Sequence, residues 1–275
     1  MIIVGDFGVE HAATKGRSNR NRKALGQHMI ASDAIAEAVV SEARIHPTDT
    51  VLEIGTGQGK LTTFISKQAR FVRTYEIDPV LFNIARSKLS SFQNVELING
   101  DAFVMERLPK FDHCVTSLPY SQSLRFLKWA AVNSGTIHRF LAIVQTEFAG
   151  KLNATPSTES YRAASVIAQI SFEIEKLRTL PNTDFIPQPK VTSKLIRLIP
   201  KAICDQPFFN KKRLAILNSL FSQRKKTLGS ALKRLMPKID SYSFEASLLN
   251  KRVETLTPVE FMKLIESMEG TPHGE

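Results

Sequence analysis

Residues 114–123 read CVTSLPYSQS, and four of them, Ser117, Leu118, Pro119 and Tyr120, could present an amine-bearing planar ring for reaction. The nitrogen of an aromatic amine is a poor nucleophile because its lone pair is delocalised into the ring. Acceptors held against its two hydrogens draw that lone pair out, and a serine hydroxyl can accept through two lone pairs of its own. No strong base is needed before attack, since the nitrogen becomes acidic once alkylated. Pro119 stiffens the turn. The Tyr120 ring offers a face for stacking, worth roughly 1–3 kcal/mol for a base. Without these neighbours Tyr120 would read as a core aromatic.

Upstream, VLEIGTGQGKLT (51–62) is a buried strand running into a Gly-rich turn and then a helix. Gly55, Gly57 and Gly59 allow the backbone to turn sharply and to approach a ligand closely. Dinucleotide enzymes share such turns. Here, however, the spacing is G-x-G-x-G, and Glu53 precedes the first glycine by two residues. That combination resembles the methyltransferases that use S-adenosylmethionine. Glu76 ends the next strand in TYEID, where a carboxylate can accept both ribose hydroxyls. Asp101 in NGDA ends the third, where a carboxylate can accept from an adenine amine. Either acid alone reads equally as a helix N-cap or a surface residue. Two at successive strand ends after a Gly loop favour a ligand.

These residues need strands to carry them. From about residue 33 to 200, short β-rich runs alternate with amphipathic helices, which predicts an α/β fold with a parallel sheet and helices on both faces. Strands are expected at 50–55, 71–78, 94–100, 113–117, 139–145, 171–177 and 190–198. The last two have no long helix between them and would form a hairpin closing the sheet edge. After Pro200 the pattern turns helical, at 211–235 and 257–268. The expected organisation is a flexible basic arm over 1–20, an α/β domain over 21–200 and a small helical domain over 201–275.

Composition narrows the function classes. Two cysteines, Cys114 and Cys204, are too few for a disulfide framework and lack metal-ligand spacing. No apolar stretch approaches the ~20 residues of a membrane span, and the N-terminal apolar run is too short for a signal peptide. A soluble, cytoplasmic protein is expected. The formal net charge is +11, and between Ile186 and Lys238 thirteen Lys or Arg stand against one acid, Asp205. A second basic cluster comprises Lys15, Arg17, Arg20, Arg22 and Lys23. Such clustering favours a polyanion over a merely solvated surface or a membrane-facing patch.

LGQHMI, EIGTGQGKLT, YEID, GDA, SLPY, DFIPQPKVTSKLIRL and FSQRKKTL follow one another here from about Lys23 to Phe261. Their order and spacing resemble those of the KsgA-type ribosomal RNA adenine dimethyltransferases. The resemblance implies a Rossmann-like S-adenosylmethionine-dependent methyltransferase domain with a small C-terminal α-helical RNA-binding domain. It implies methyl transfer to the exocyclic amines of two adjacent adenosines in the 3′-terminal hairpin of small-subunit rRNA, with a role in small-subunit biogenesis. The implied partner is that rRNA within a pre-30S-like particle, met by a monomer. Carried over by residue, His28 and Ile30 would line the cofactor pocket, Gly55 would underlie the methionine end, Glu76 would hold the ribose and Asp101 the adenine. The Ser117 side chain and the Leu118 carbonyl would accept from the target amine. Phe185 would lie against the target base opposite Tyr120, or pack into the core. Arg224, Lys225 and Lys226 interrupt the apolar series Leu217, Phe221, Leu228, Leu232. They would reach phosphates, or else mark a helix boundary with solvated charges.

The chain also departs from the family pattern. Ser117 stands where most adenine enzymes have Asn, HMI replaces HFL or NFL, and YRAAS (161–165) replaces YGRLS. A methylation-dead rRNA-binding assembly factor and an Erm-like large-subunit rRNA methyltransferase are the alternative readings.

Overall fold

In the computed structural model, the described residues are 2–4, 28–105, 108–201, 206–235 and 244–270. The basic cluster Lys15–Lys23 and the rest of the expected arm lie outside them, except for Ile2–Val4. That segment is a strand, β1, paired in parallel with β5 (Val95–Asn99). The main sheet also holds β3 (Thr50–Ile54), β4 (Phe71–Glu76), β6 (Phe111–Thr116), β7 (Ile137–Gln145), β8 (Phe172–Leu180) and β10 (Ser193–Pro200). Its order is β1-β5-β4-β3-β6-β7-β10-β8. Neighbours from β1 to β7 run parallel, while β10 runs antiparallel to β7. The expected edge hairpin is there, with β8 outermost.

The central strands are buried along nearly their whole length, as the sequence run TVLEI requires of a parallel sheet covered on its faces. Val51, Val72, Val95 and Leu97 pack with Val39 and Val40 from the helix Asp33–Ala43, and with Leu61 and Ile65 from the helix Lys60–Ser66. Two helices of this layer begin at side-chain caps. Ser32 accepts from the Ile35 N–H at 3.2 Å, and Asp78 accepts from the Val80 N–H at 2.8 Å, with Pro79 at the first helical position. Strand order reverses between β3 and β6. In open α/β sheets ligands bind at the carboxyl ends of the strands at such a point.

By its contacts the chain divides into two compact units. The first comprises Met1–Phe126, Thr136–Ala149 and Glu175–Pro200; the second comprises Leu127–Gly135, Gly150–Ile174 and Lys201–Glu275. Residue 200 is one join, but the second unit also draws on two stretches from within the α/β run. Its apolar interior explains why: Tyr161 is fully buried, donates its hydroxyl to the Leu256 carbonyl at 2.8 Å and meets Phe221 edge-on at 5.9 Å. Phe221 in turn stacks on Phe261 at 5.3 Å. The helical stretch expected over 211–235 is two helices, Lys211–Ser222 and Leu228–Leu235, and the helix boundary that is one of the two readings of Arg224, Lys225 and Lys226 is there, in the turn that carries them.

A second, two-stranded antiparallel ladder pairs β2 (Met29–Ile30) with β9 (Phe185–Ile186), Met29 opposite Ile186 and Ile30 opposite Phe185.

Candidate active site

The Gly loop at the end of β3 needs its glycines. Gly55, with φ of +88°, would place a β-carbon 3.1 Å from Leu118 Cδ2, so the loop lies directly against the SLPY segment. Gly57, with φ of +58°, would meet nothing within 4 Å and borders open space. The carboxylate of Glu76 closes the loop from the end of β4. One oxygen accepts the Gly57 N–H and the other the Asp78 N–H, each at 2.8 Å. Burial raises the Glu76 carboxyl above its ordinary value, and those two N–H bonds oppose the shift.

At the end of β5, Asp101 accepts the Phe103 N–H at 2.9 Å, capping a short 3₁₀ turn, and an Arg125 N–H at 2.6 Å. Thus the capping function open at sequence level is real for this residue. After β6, half-buried Ser117 has no side-chain partner among the described residues. Its lone pairs are available. The Tyr120 hydroxyl shares a 2.5 Å hydrogen bond with the buried Ser193, and its ring stands 5.3 Å from that of His28. His28 is itself fixed by a 2.6 Å contact from Nδ1 to the Pro187 carbonyl oxygen.

One cavity of about 260 Å³ collects His28, Gly55, Gly57, Glu76, Asp101, Ser117, Leu118 and Pro119. Tyr120 is not part of its wall but backs His28. Ile30 does not reach it either. In the alternation of β2 its side chain turns into the core and Met29 faces the cavity. Phe185 packs into the core, only 2% exposed, and the exposed apolar residue of that ladder is Ile186, at 63%. Ile77, Phe103 and Arg125 also line the cavity and were missed in the sequence. Ile77 could have been found as the residue following Glu76, whereas Arg125 gives no local signal.

In the second unit, the basic triplet is partly spent on an internal acid. Glu254, buried, accepts from Arg224 Nε at 2.8 Å and pairs with Lys225 Nζ at 3.0 Å. Burial works to raise the Glu254 carboxyl, but hydrogen bonds from Lys225 and Arg224 hold it below its ordinary value. Arg224 is therefore a structural cation, whereas Lys225 and Lys226 remain exposed.

Behind the Gly loop, Glu53 is fully buried; one of its oxygens accepts from Thr62 and Thr74, both at 2.6 Å, and the other has no partner among the described residues. Burial pushes its carboxyl from an ordinary 4.5 up to about 7. A family model described as "Ribosomal RNA adenine dimethylase" matches residues 18–269. The chain belongs to the ribosomal RNA adenine dimethylase family. A Thermotoga neapolitana "Ribosomal RNA small subunit methyltransferase A" is 32% identical over 89% of this chain and 90% of the relative. Its Alkaliphilus metalliredigens namesake is 33% identical over 90% and 92%. Among solved structures, a Plasmodium falciparum dimethyladenosine transferase shares the fold, with a TM-score of 0.71, 24% identity and coverage of 88% of this chain and 98% of that one. The 23S rRNA methyltransferase ErmE has a TM-score of 0.58 and 27% identity, covering 87% and 99%.

Two predictions concern the frame of this dimethylase-family site. Phe185→Ala should lower unfolding stability by about 3–5 kcal/mol through cavity formation, while Ile186→Ala should change it by no more than about 0.5 kcal/mol. Denaturant titration of both variants checks the pair. Glu53 takes up a proton more readily folded than unfolded, so its stabilising effect is complete below pH 4.5 and is lost as pH rises through about 7. The stability difference between wild type and Glu53→Gln should therefore fall by up to about 3 kcal/mol from pH 4 to pH 8. A difference constant with pH would show the carboxyl to be unshifted.

Proposed function

We propose that this member of the adenine dimethylase family methylates the exocyclic amines of two adjacent adenosines in the 3′-terminal hairpin of small-subunit rRNA, using S-adenosylmethionine. The observation that carries the reading is the convergence of Glu76, Asp101 and Ser117 on one cavity from three successive strand ends beside the switch point. The names of the curated relatives support the small-subunit choice.

The cavity suits the cofactor on two counts. Carboxylates stand ready at successive strand ends for hydroxyls and for an amine, and Gly57 leaves open the space a β-carbon would take. Glu76 and Asp101 would hold the adenosine moiety and Gly55 the methionine end. The bound cofactor supplies an electrophilic methyl group on a sulfonium.

The protein's own task is to make the adenine nitrogen nucleophilic. The Ser117 hydroxyl and the Leu118 carbonyl accept from the two amine hydrogens and draw the lone pair out of the ring. Pro119 fixes that carbonyl, and Tyr120, anchored by Ser193, offers its ring to the extruded base. Serine is shorter than asparagine and keeps its own proton, which must point elsewhere. This slows transfer without abolishing it. Lys225 and Lys226 meet rRNA phosphates, while Arg224 and Glu254 hold their turn in place.

Glu76→Ala should weaken S-adenosylmethionine binding about tenfold or more in calorimetry, through loss of charge-assisted bonds. Ser117→Ala should leave that affinity intact and cut methyl transfer roughly tenfold to hundredfold. Ser117→Asn should retain or raise transfer. Mass analysis of adenosines in small-subunit rRNA gives both the rate and the ratio of mono- to dimethyladenosine. Equal transfer and ratio in wild type and Ser117→Ala would make Ser117 a bystander, and transfer gained only in Ser117→Asn would mark a methylation-dead factor.

Neutralising Lys225 and Lys226 together should reduce the slope of log affinity against log salt for precursor particles by up to about two units. An unchanged slope would return those lysines to the solvated surface.

A further inference from the structure

Among the described residues lining the cavity, Arg125 is the only Lys or Arg. Two contacts fix its guanidinium. An Nη–H group donates to Asp101 Oδ2 at 2.6 Å, and the guanidinium carbon stands 4.7 Å from the centroid of the Phe103 ring. The other oxygen of Asp101 takes the Phe103 N–H. Carboxylate, ring and guanidinium thus brace one another, yet the Arg125 side chain remains 47% exposed. Ile77 offers an apolar side chain to the same cavity, 62% exposed.

A rigid cationic plane, an apolar side chain and a carboxylate with lone pairs to spare suit one class of ligand. That ligand is a flat, electron-rich heteroaromatic ring bearing an amine. Guanidinium planes stack on such rings, and lysine cannot replace them because its charge has no plane. Each carboxylate oxygen has two acceptor sites, so Asp101 can take an amine hydrogen without releasing Arg125.

We propose that Arg125 is a cofactor-binding residue whose guanidinium covers a face of the purine ring of the adenosine-bearing cofactor. The proposal rests on reading this cavity as the cofactor site. Its rival is that Arg125 merely tethers Asp101.

Calorimetry with S-adenosylhomocysteine on the full chain separates these cases. Arg125→Ala should weaken binding about threefold to tenfold, and Arg125→Lys should recover little of that loss. Ligand-free thermal melts of both variants should match wild type, as expected for a half-exposed side chain. The deciding measurement is Arg125→Ala made in an Asp101→Ala background. A contact with the purine predicts that most of the loss persists there; a tether predicts that it vanishes, which would overturn the proposal. Wild-type affinity in Arg125→Ala would overturn it too, with the cofactor reading left standing. Failure of wild type to bind S-adenosylhomocysteine at all would instead remove the cofactor reading and this proposal with it.

Discussion

A carboxylate can be buried at the end of a strand only while donors face its oxygens. Glu76 meets this condition with backbone alone. Its side chain takes one N–H from the Gly loop and one from the start of the following helix. Its main-chain oxygen takes the Gly100 N–H at 2.9 Å and the Asn99 side-chain amide at 2.7 Å. Three loops from three strand ends are therefore hung on a single residue. The Asp101 carboxylate follows Gly100 by one position, and Leu118 sits against Gly55, so the remaining parts of the cavity wall inherit their places from it. The same burial that makes the position costly keeps the loops from drifting apart.

How far the sequence could be read depended on the range of the interactions involved. Strand ends were legible because glycines and acids at fixed offsets follow a local rule, and the seven runs of the sheet all became strands. The two-residue ladder of β2 and β9 was not. A pair of residues carries no period, so nothing local told that Ile30 and Phe185 turn inward while Met29 and Ile186 turn out. Arg224 read as a free cation because its partner, Glu254, lies 30 residues away in the chain. Arg125 escaped notice for the same reason, with Asp101 24 residues distant. The second unit is discontinuous because Tyr161 fills space between Phe221 and Leu256, a match of shapes that composition does not reveal.

Charge calls for similar care. The basic stretch from Ile186 to Lys238 includes Arg197, buried between the Glu42 carbonyl and the Glu175 carboxylate, and Arg213, paired with Glu269 at 2.6 Å. With Arg224 these cations are parts of the protein's own framework. Each such pair withdraws one cation together with one acid, so the formal net charge of +11 stands, but fewer basic side chains of this stretch are free to meet a polyanion than its composition suggests.

The short β2–β9 ladder sets a limit on how this chain can vary in length. Its side chains alternate with a period of two, so sliding one strand by a single residue would turn Phe185 outward and Ile186 into the core. The same slip would carry His28 away from the Pro187 carbonyl oxygen that fixes its ring. Between His28 and Ile30, or between Phe185 and Pro187, an inserted or deleted residue would therefore disturb the core and the cavity wall at one stroke. Relatives of this chain should keep a fixed count of residues at both places.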